Sequence, residues 1–208
     1  GEGEKNFVKV LRSVKDCKEI ESVYLGERIT DLSELPSPYT TGVFDKIIEQ
    51  NPGIFWQMAF ETNRGCPFSC TFCDWGSLTY SKVKKHDLKK IEEEILWIKN
   101  HRISYIFMAD ANFGIFKDDI KYIERAVELK NSTGYPREIQ FSAAKNKKEV
   151  SNQAHKILYE ANMCNGAQIS YQHTDDAVLD AIDRSNIKQD KLQEELNEAF
   201  KNNIPLVG

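Results

Sequence analysis

After Ile54 the chain alternates short apolar runs with amphipathic segments, and few folds accommodate that order. IFWQMAFE (54–61) reads as a strand, then comes a cysteine-bearing loop. A helix follows from Asp87 to about Asn100, with Leu88, Ile91, Ile95 and Ile98 on one face. SYIFMAD (104–110) is the next strand, and a helix from Asp118 to Lys130 uses Ile120, Ile123 and Val127. REIQFSA (137–143) and GAQISYQ (166–172) read as strands separated by a helix from Lys147 to Ala161. Helices from Asp176 to Arg184 and from Lys188 to Asn202 precede IPLV (204–207), which begins a fifth strand. Strands and helices alternating at this spacing make βαβ units and a parallel sheet. The expected class is therefore α/β, a sheet closed or partly closed as a (β/α) barrel, with its chemistry on loops leaving the strands' C-terminal ends.

The first 53 residues read differently. Phe7, Val10, Leu11 and Val14 fall at helical spacing, and Tyr24 to Thr41 reads as an extended linker in which Pro36 and Pro38 forbid a helix. The expected division is residues 1–53 as the tail of an upstream domain plus linker, and residues 54–208 as the barrel. Both ends look cut, because the chain opens on GEGE without an initiating Met and stops where a strand begins. The expectation is a fragment whose barrel is incomplete at its C-terminal end.

Composition narrows the partners. Hydrophobic residues at 40% and charged residues at 29% describe an ordinary globular chain. A net charge of −4 supplies no basic field for nucleic acid or an anionic membrane. No apolar run is long enough to span a bilayer, and the N-terminus lacks a signal-peptide core. Five cysteines, three of them within eight residues, suit metal in a reducing cytoplasm better than a disulfide framework.

Those three lie in RGCPFSCTFCDWG as Cys66, Cys70 and Cys73, a C-x-x-x-C-x-x-C arrangement. Three thiolates on one short loop can each reach a different iron of a cubane and leave the fourth iron without a protein ligand. Gly65 and Pro67 shape a tight loop at a strand end, and Phe72 places an aromatic where it can shield a cluster from water. Two other readings stay open on spacing alone: a structural zinc site completed by His86, or three unconnected buried thiols. Cys17 and Cys164 lie far off and show no matching motif.

This loop resembles that of the radical S-adenosylmethionine (SAM) superfamily, in which the residue before the last cysteine is aromatic, as Phe72 is. The resemblance covers Ile54 to Gly208 and implies a partial radical SAM barrel. It further implies a 4Fe–4S cluster on Cys66, Cys70 and Cys73 whose open iron chelates the amino and carboxylate groups of SAM. An electron from a reductant such as flavodoxin or ferredoxin then breaks the sulfonium bond, giving methionine and a 5′-deoxyadenosyl radical that acts on a substrate. GEGE at Gly1 to Glu4, the following helix and DLSELPSPY look like the junction in cobalamin-binding radical SAM enzymes, where a corrinoid domain precedes the barrel. That narrower resemblance implies methyl transfer. Cyclisation or rearrangement by a radical SAM enzyme, or an iron–sulfur or zinc module without turnover, are the alternatives.

Further candidates follow from position. Asp110 and Asn112 end the second strand, where many superfamily members carry a Gly-Gly-Glu run that orients the methionyl amino group; a carboxylate or amide there can accept from an ammonium, or form an Asx-type turn. In ISYQHTDDAVLDAIDR, Gln172, Leu179 and Arg184 keep the spacing of a superfamily segment ending the fourth strand. Gln172 and Ser170 would face SAM ribose or substrate. Arg184 would pair with a carboxylate, or stabilise a helix C-terminus. Ser142 and Lys145 could line the same pocket, with Lys145 more simply a solvated loop residue. Trp75 and His173 lie near the mouth without a pattern that separates site from surface.

Overall fold

The computed structural model describes residues 3–26, 28–73, 82–144, 149–169, 171–184 and 189–207. Lys145, Ser170 and Trp75 lie outside them. Two compact units divide at Leu35/Pro36.

The first unit carries helix α1 (Gly3–Lys15). The chain then returns so close that a Cβ on Gly26 would lie 2.1 Å from Asn6 Nδ2, so any larger residue there would displace the Asn6 side chain. Lys5 Nζ meets Glu34 Oε2 at 2.6 Å, and a 3₁₀ turn at Leu32–Glu34 is capped by Asp31, which accepts from Ser33 N.

The second unit starts at Pro36. Tyr39, Phe44 and Ile48 lie against its core, and Tyr39 Oη donates to Ala59 O at 2.7 Å. A short helix, α2 (Asp45–Gln50), is fastened by Trp97 Nε1 donating to Asp45 Oδ1 at 3.0 Å.

Three parallel strands form the main sheet in the order β1 (Gln57–Phe60), β4 (Tyr105–Phe113), β5 (Glu138–Ala143). Gln57 pairs with Tyr105 and Tyr105 with Glu138, and the β4–β5 register shifts between Met108 and Phe113. Alternation puts Met58, Phe60, Ile106, Met108, Ile139 and Phe141 on one buried face. Onto it pack α3 (Leu88–His101) through Ile91, Ile95 and Ile98, α4 (Asp119–Thr133) through Ile123 and Leu129, and α5 (Glu149–Glu160) through Ala154 and Leu158. The other face carries the exposed Gln57, Ala59, Phe107 and Gln140. Gly114, just past β4, has φ +89°, and a Cβ there would lie 2.9 Å from Ser151 N, so the start of α5 needs a glycine beneath it.

Two strands were not expected from the sequence. β2 (Asn63–Arg64) and β3 (Lys84–Lys85) pair antiparallel and close the base of the cysteine loop. The C-terminal part is sparser. β6 (Ala167–Gln168) pairs in parallel with β7 (Leu206–Val207), and among the described residues neither is laddered to β5. The described ladder of the fourth strand is Ala167–Gln168 against Leu206–Val207, within the expected GAQISYQ segment. Helices α6 (Asp176–Ala181) and α7 (Gln189–Lys201) follow their expected positions, α6 ending before Arg184. No helix among the described residues is long and apolar enough to cross a membrane.

Candidate active site

The chain leaves β1 through a polar run, Glu61-Thr62-Asn63-Arg64, that has no apolar reason to be buried and is held by side chains instead. Asp110, fully buried at the end of β4, accepts from Thr62 N at 2.8 Å, Thr62 Oγ1 at 2.6 Å and Asn63 N at 2.9 Å. Both carboxylate oxygens therefore fasten the start of the cysteine loop across the sheet, and the bonds are long-range rather than those of a local Asx turn. Burial pushes the Asp110 carboxyl up to about 7 against these donors.

A second fastening lies at the loop's feet. Arg64 grips Glu61 through two bonds of 2.9 Å, and His86 Nε2 meets Glu61 Oε2 at 2.8 Å. Burial alone would raise the Glu61 carboxyl, but hydrogen bonds from His86 and Arg64 and the charge of Arg64 hold it below the usual range. Lys90 Nζ lies 3.3 Å from His86 Nδ1. An ammonium can only donate, so Nδ1 is the acceptor and Nε2 carries the proton given to Glu61. With both ring nitrogens engaged, His86 is not free to be the fourth ligand of a zinc site. His86 N also donates to Thr62 O at 2.9 Å, beside the β2–β3 pair.

Between these feet stand the cysteines. Cys66 and Cys70 are buried, Cys73 is half-buried, and all three are free thiols. Asn112 Nδ2 points at Cys66 Sγ, 3.2 Å away, and Arg184 Nη1 at Cys70 Sγ, 3.5 Å away. Thr71 N donates to Ile182 O at 3.0 Å and Cys73 N to Cys70 O at 3.1 Å, tying the loop to the segment after α6 and to itself. Among the described residues, no three His, Cys, Asp or Glu side chains are gathered to hold one metal ion. A cubane asks something else, one thiolate for each of three irons, and N–H donors aimed at sulfur suit thiolates that share a cluster's charge. The donor set fits a 4Fe–4S cluster.

The remaining candidates spread out. Asn112 is buried, and its Oδ1 has no hydrogen-bond partner among the described residues. Ser142 is half-buried near the C-terminal end of β5, on the face opposite the helices. Phe72 is 49% exposed. Gln172 and His173 are exposed. Arg184 is buried rather than placed at a helix end, and its side chain turns to Cys70. Cys164 precedes β6, at the strands' N-terminal edge and opposite the cysteine loop, where its thiol reaches His155 O at 3.7 Å. A cleft of about 890 Å³ lies between α5 and α7, lined by Glu194, Glu195 and Lys156 and away from the cysteines. Sequence reading missed the Glu61–Arg64–His86 clasp. Its signal was the polar run interrupting an apolar strand just before Cys66.

Comparison with known proteins bears on the family and the fold. The family model described as the radical SAM superfamily matches residues 60–208. A cobalamin-dependent radical SAM methyltransferase, TokK of Streptomyces tokunonensis, is 38% identical over 173 residues, covering 81% of this chain and 25% of that protein. A 2-(S-pantetheinyl)-carbapenam-3-carboxylate methyltransferase of Streptantibioticus cattleyicolor is 39% identical over 163 residues, covering 77% of this chain and 24% of that protein. The chain thus spans about a quarter of the length of these relatives. Among solved structures, the radical SAM methyltransferase TsrM from Kitasatospora setae, bound to tryptophan and a SAM analogue, aligns with a TM-score of 0.55 at 12% identity. That alignment covers 73% of this chain and 29% of TsrM. OxsB, a cobalamin-dependent radical enzyme bound to aqua-cobalamin and SAM, aligns with a TM-score of 0.52 at 18% identity over 99% of this chain and 32% of OxsB.

Proposed function

We propose that this chain, which belongs to the radical SAM superfamily, is the barrel core of a cobalamin-dependent methyltransferase that cleaves SAM reductively. The observation that carries the reading is the clasped loop: Cys66, Cys70 and Cys73 leave the first strand's C-terminal end, and buried N–H groups point at two of their sulfurs. The cluster bound there supplies an electron and an open iron for SAM, and with them rupture of the sulfonium bond. The chain's own work is placement. Asp110 and the Glu61–Arg64–His86 clasp fix the loop, while Asn112 Oδ1, buried and without a partner among the described residues, is proposed to accept from the methionyl ammonium. Ser142, Ser170 and Gln172 are proposed to face SAM or substrate, and Phe72 to cover the cluster. Cobalamin and methyl transfer rest on the curated relatives' names and on the GEGE junction. The reductant is a one-electron donor of the flavodoxin or ferredoxin kind, in a reducing compartment such as the cytoplasm.

Anaerobic reconstitution tests the reading. The expected load is about four irons and four sulfides per chain. Cys66→Ala, Cys70→Ala or Cys73→Ala should each abolish it, whereas Cys17→Ala and Cys164→Ala should leave it intact. Tight zinc without iron–sulfur absorbance would sink the proposal.

A further inference from the structure

We infer that Asn112 and Arg184 set the reduction potential of the cluster by donating hydrogen bonds to the Cys66 and Cys70 thiolates. The inference rests on the cluster reading above and concerns what these two side chains do to it. Asn112 is 1% exposed and Arg184 6%, so neither reaches out to water. A thiolate only accepts, which orients the Asn112 amide with Nδ2 toward Cys66 Sγ. Arg184 adds a full positive charge along with its N–H to Cys70.

One-electron reduction by an external donor adds negative charge that spreads over the cluster's sulfurs. An N–H donor, and still more a buried cation, stabilises that reduced state more than the oxidised one, so both raise the potential. The backbone holds the arrangement. Arg184 N donates to Leu179 O at 2.9 Å, with Leu179 buried, and Thr71 N reaches Ile182 O, so the segment carrying Arg184 is fastened to the loop carrying Cys70. Asn112 sits one strand position from Phe113, the fully buried anchor of β4.

EPR-monitored redox titration of the reconstituted protein tests this, with iron and sulfide content measured on each sample. Asn112→Leu and Arg184→Met keep approximate side-chain volume and remove the donors. Each should make reduction about tenfold less favourable at a fixed potential, a fall of about 59 mV for one electron. Arg184→Met should move the potential more, because a charge is also lost, and Arg184→Lys should recover most of that shift. Variants that carry four irons and titrate at the wild-type potential would overturn the inference. So would loss of loading in every Arg184 variant, Arg184→Lys included, which would make the residue structural. Failure of the wild-type protein to load iron and sulfide is a separate result that removes the cluster reading itself.

Discussion

The two halves of the barrel unit hold their shape by different means. Around β1, β4 and β5, three helices bury a continuous apolar face in which Ile91, Phe113 and Leu158 have no solvent exposure. Around β6 and β7 the described ladder is two residue pairs long, and Ala199 is the one residue of α7 classed as buried. Phe200, on the same helix, is 84% exposed. Yet the site draws on both halves: Cys66, Asp110 and Asn112 come from the packed half, and Arg184 from the sparse one. The packed half positions the loop through hydrophobic burial and buried hydrogen bonds. The sparse half contributes through a few polar ties. Stability and site geometry should therefore respond separately to substitution.

The largest expected effect tests the packed half. Phe113→Ala removes a ring tilted against Phe141, with centroids 4.8 Å apart, and should destabilise the protein by about 3–5 kcal/mol in urea unfolding. Phe200→Ala should change stability by no more than about 0.5 kcal/mol. Similar values for the two would erase the contrast between the halves.

Legibility in the sequence follows the same line. The packed strands and helices were readable because burial on one side writes a period of two or of 3.6 into the sequence, as in Met58/Phe60 and Ile91/Ile95/Ile98. The cysteine loop was readable because three thiols at fixed spacing have few other uses. What sequence did not show depended on long-range partners. Asp110 reaches Thr62 and Asn63, Arg184 reaches Cys70, and His86 closes on Glu61 across the cysteine loop. None of these pairings leaves a local pattern.

A pH series probes the polar fastening of the packed half. Asp110 moves from 3.8 to about 7 on folding, so the folded state holds a proton across that window and the unfolded state does not. This group therefore disfavours the folded state above about pH 7, and the penalty is relieved as pH falls toward 4. Glu61, held low, acts in the opposite sense: its contribution is present above its unfolded value and is lost as pH falls through its folded one. Comparison of wild type with Asp110→Asn isolates the first effect. Between pH 8 and 5, wild type should gain unfolding free energy relative to the variant, by at most roughly 3 kcal/mol, about two units between pH 7 and 5 at 1.36 kcal/mol each. A difference that stays constant with pH would mean Asp110 remains ionised, held by its three donors.

The smallest expected effect tests the sparse half, and it separates stability from site geometry most sharply. Asp175 caps α6 by accepting from Ala177 N at 2.8 Å and Val178 N at 3.4 Å. Removing such a cap costs about 1 kcal/mol of helix stability. A helix of this length has few internal bonds to spare, so the loss falls on its own opening rather than on the global transition. Beyond its end, Ile182 O receives Thr71 N, and Arg184 N returns to Leu179 O. Fraying of α6 therefore frees the backbone tie from Thr71 N to Ile182 O and loosens Arg184 from Leu179. Asp175→Ala should leave the urea midpoint nearly unchanged while speeding hydrogen exchange at Thr71 and Arg184 about fivefold, the factor that about 1 kcal/mol gives. Exchange at Ile106 and Ile139, in the packed sheet, should not move. If Thr71 exchanges at the wild-type rate, α6 does not hold the loop, and the sparse half touches the site through the Arg184 side chain alone.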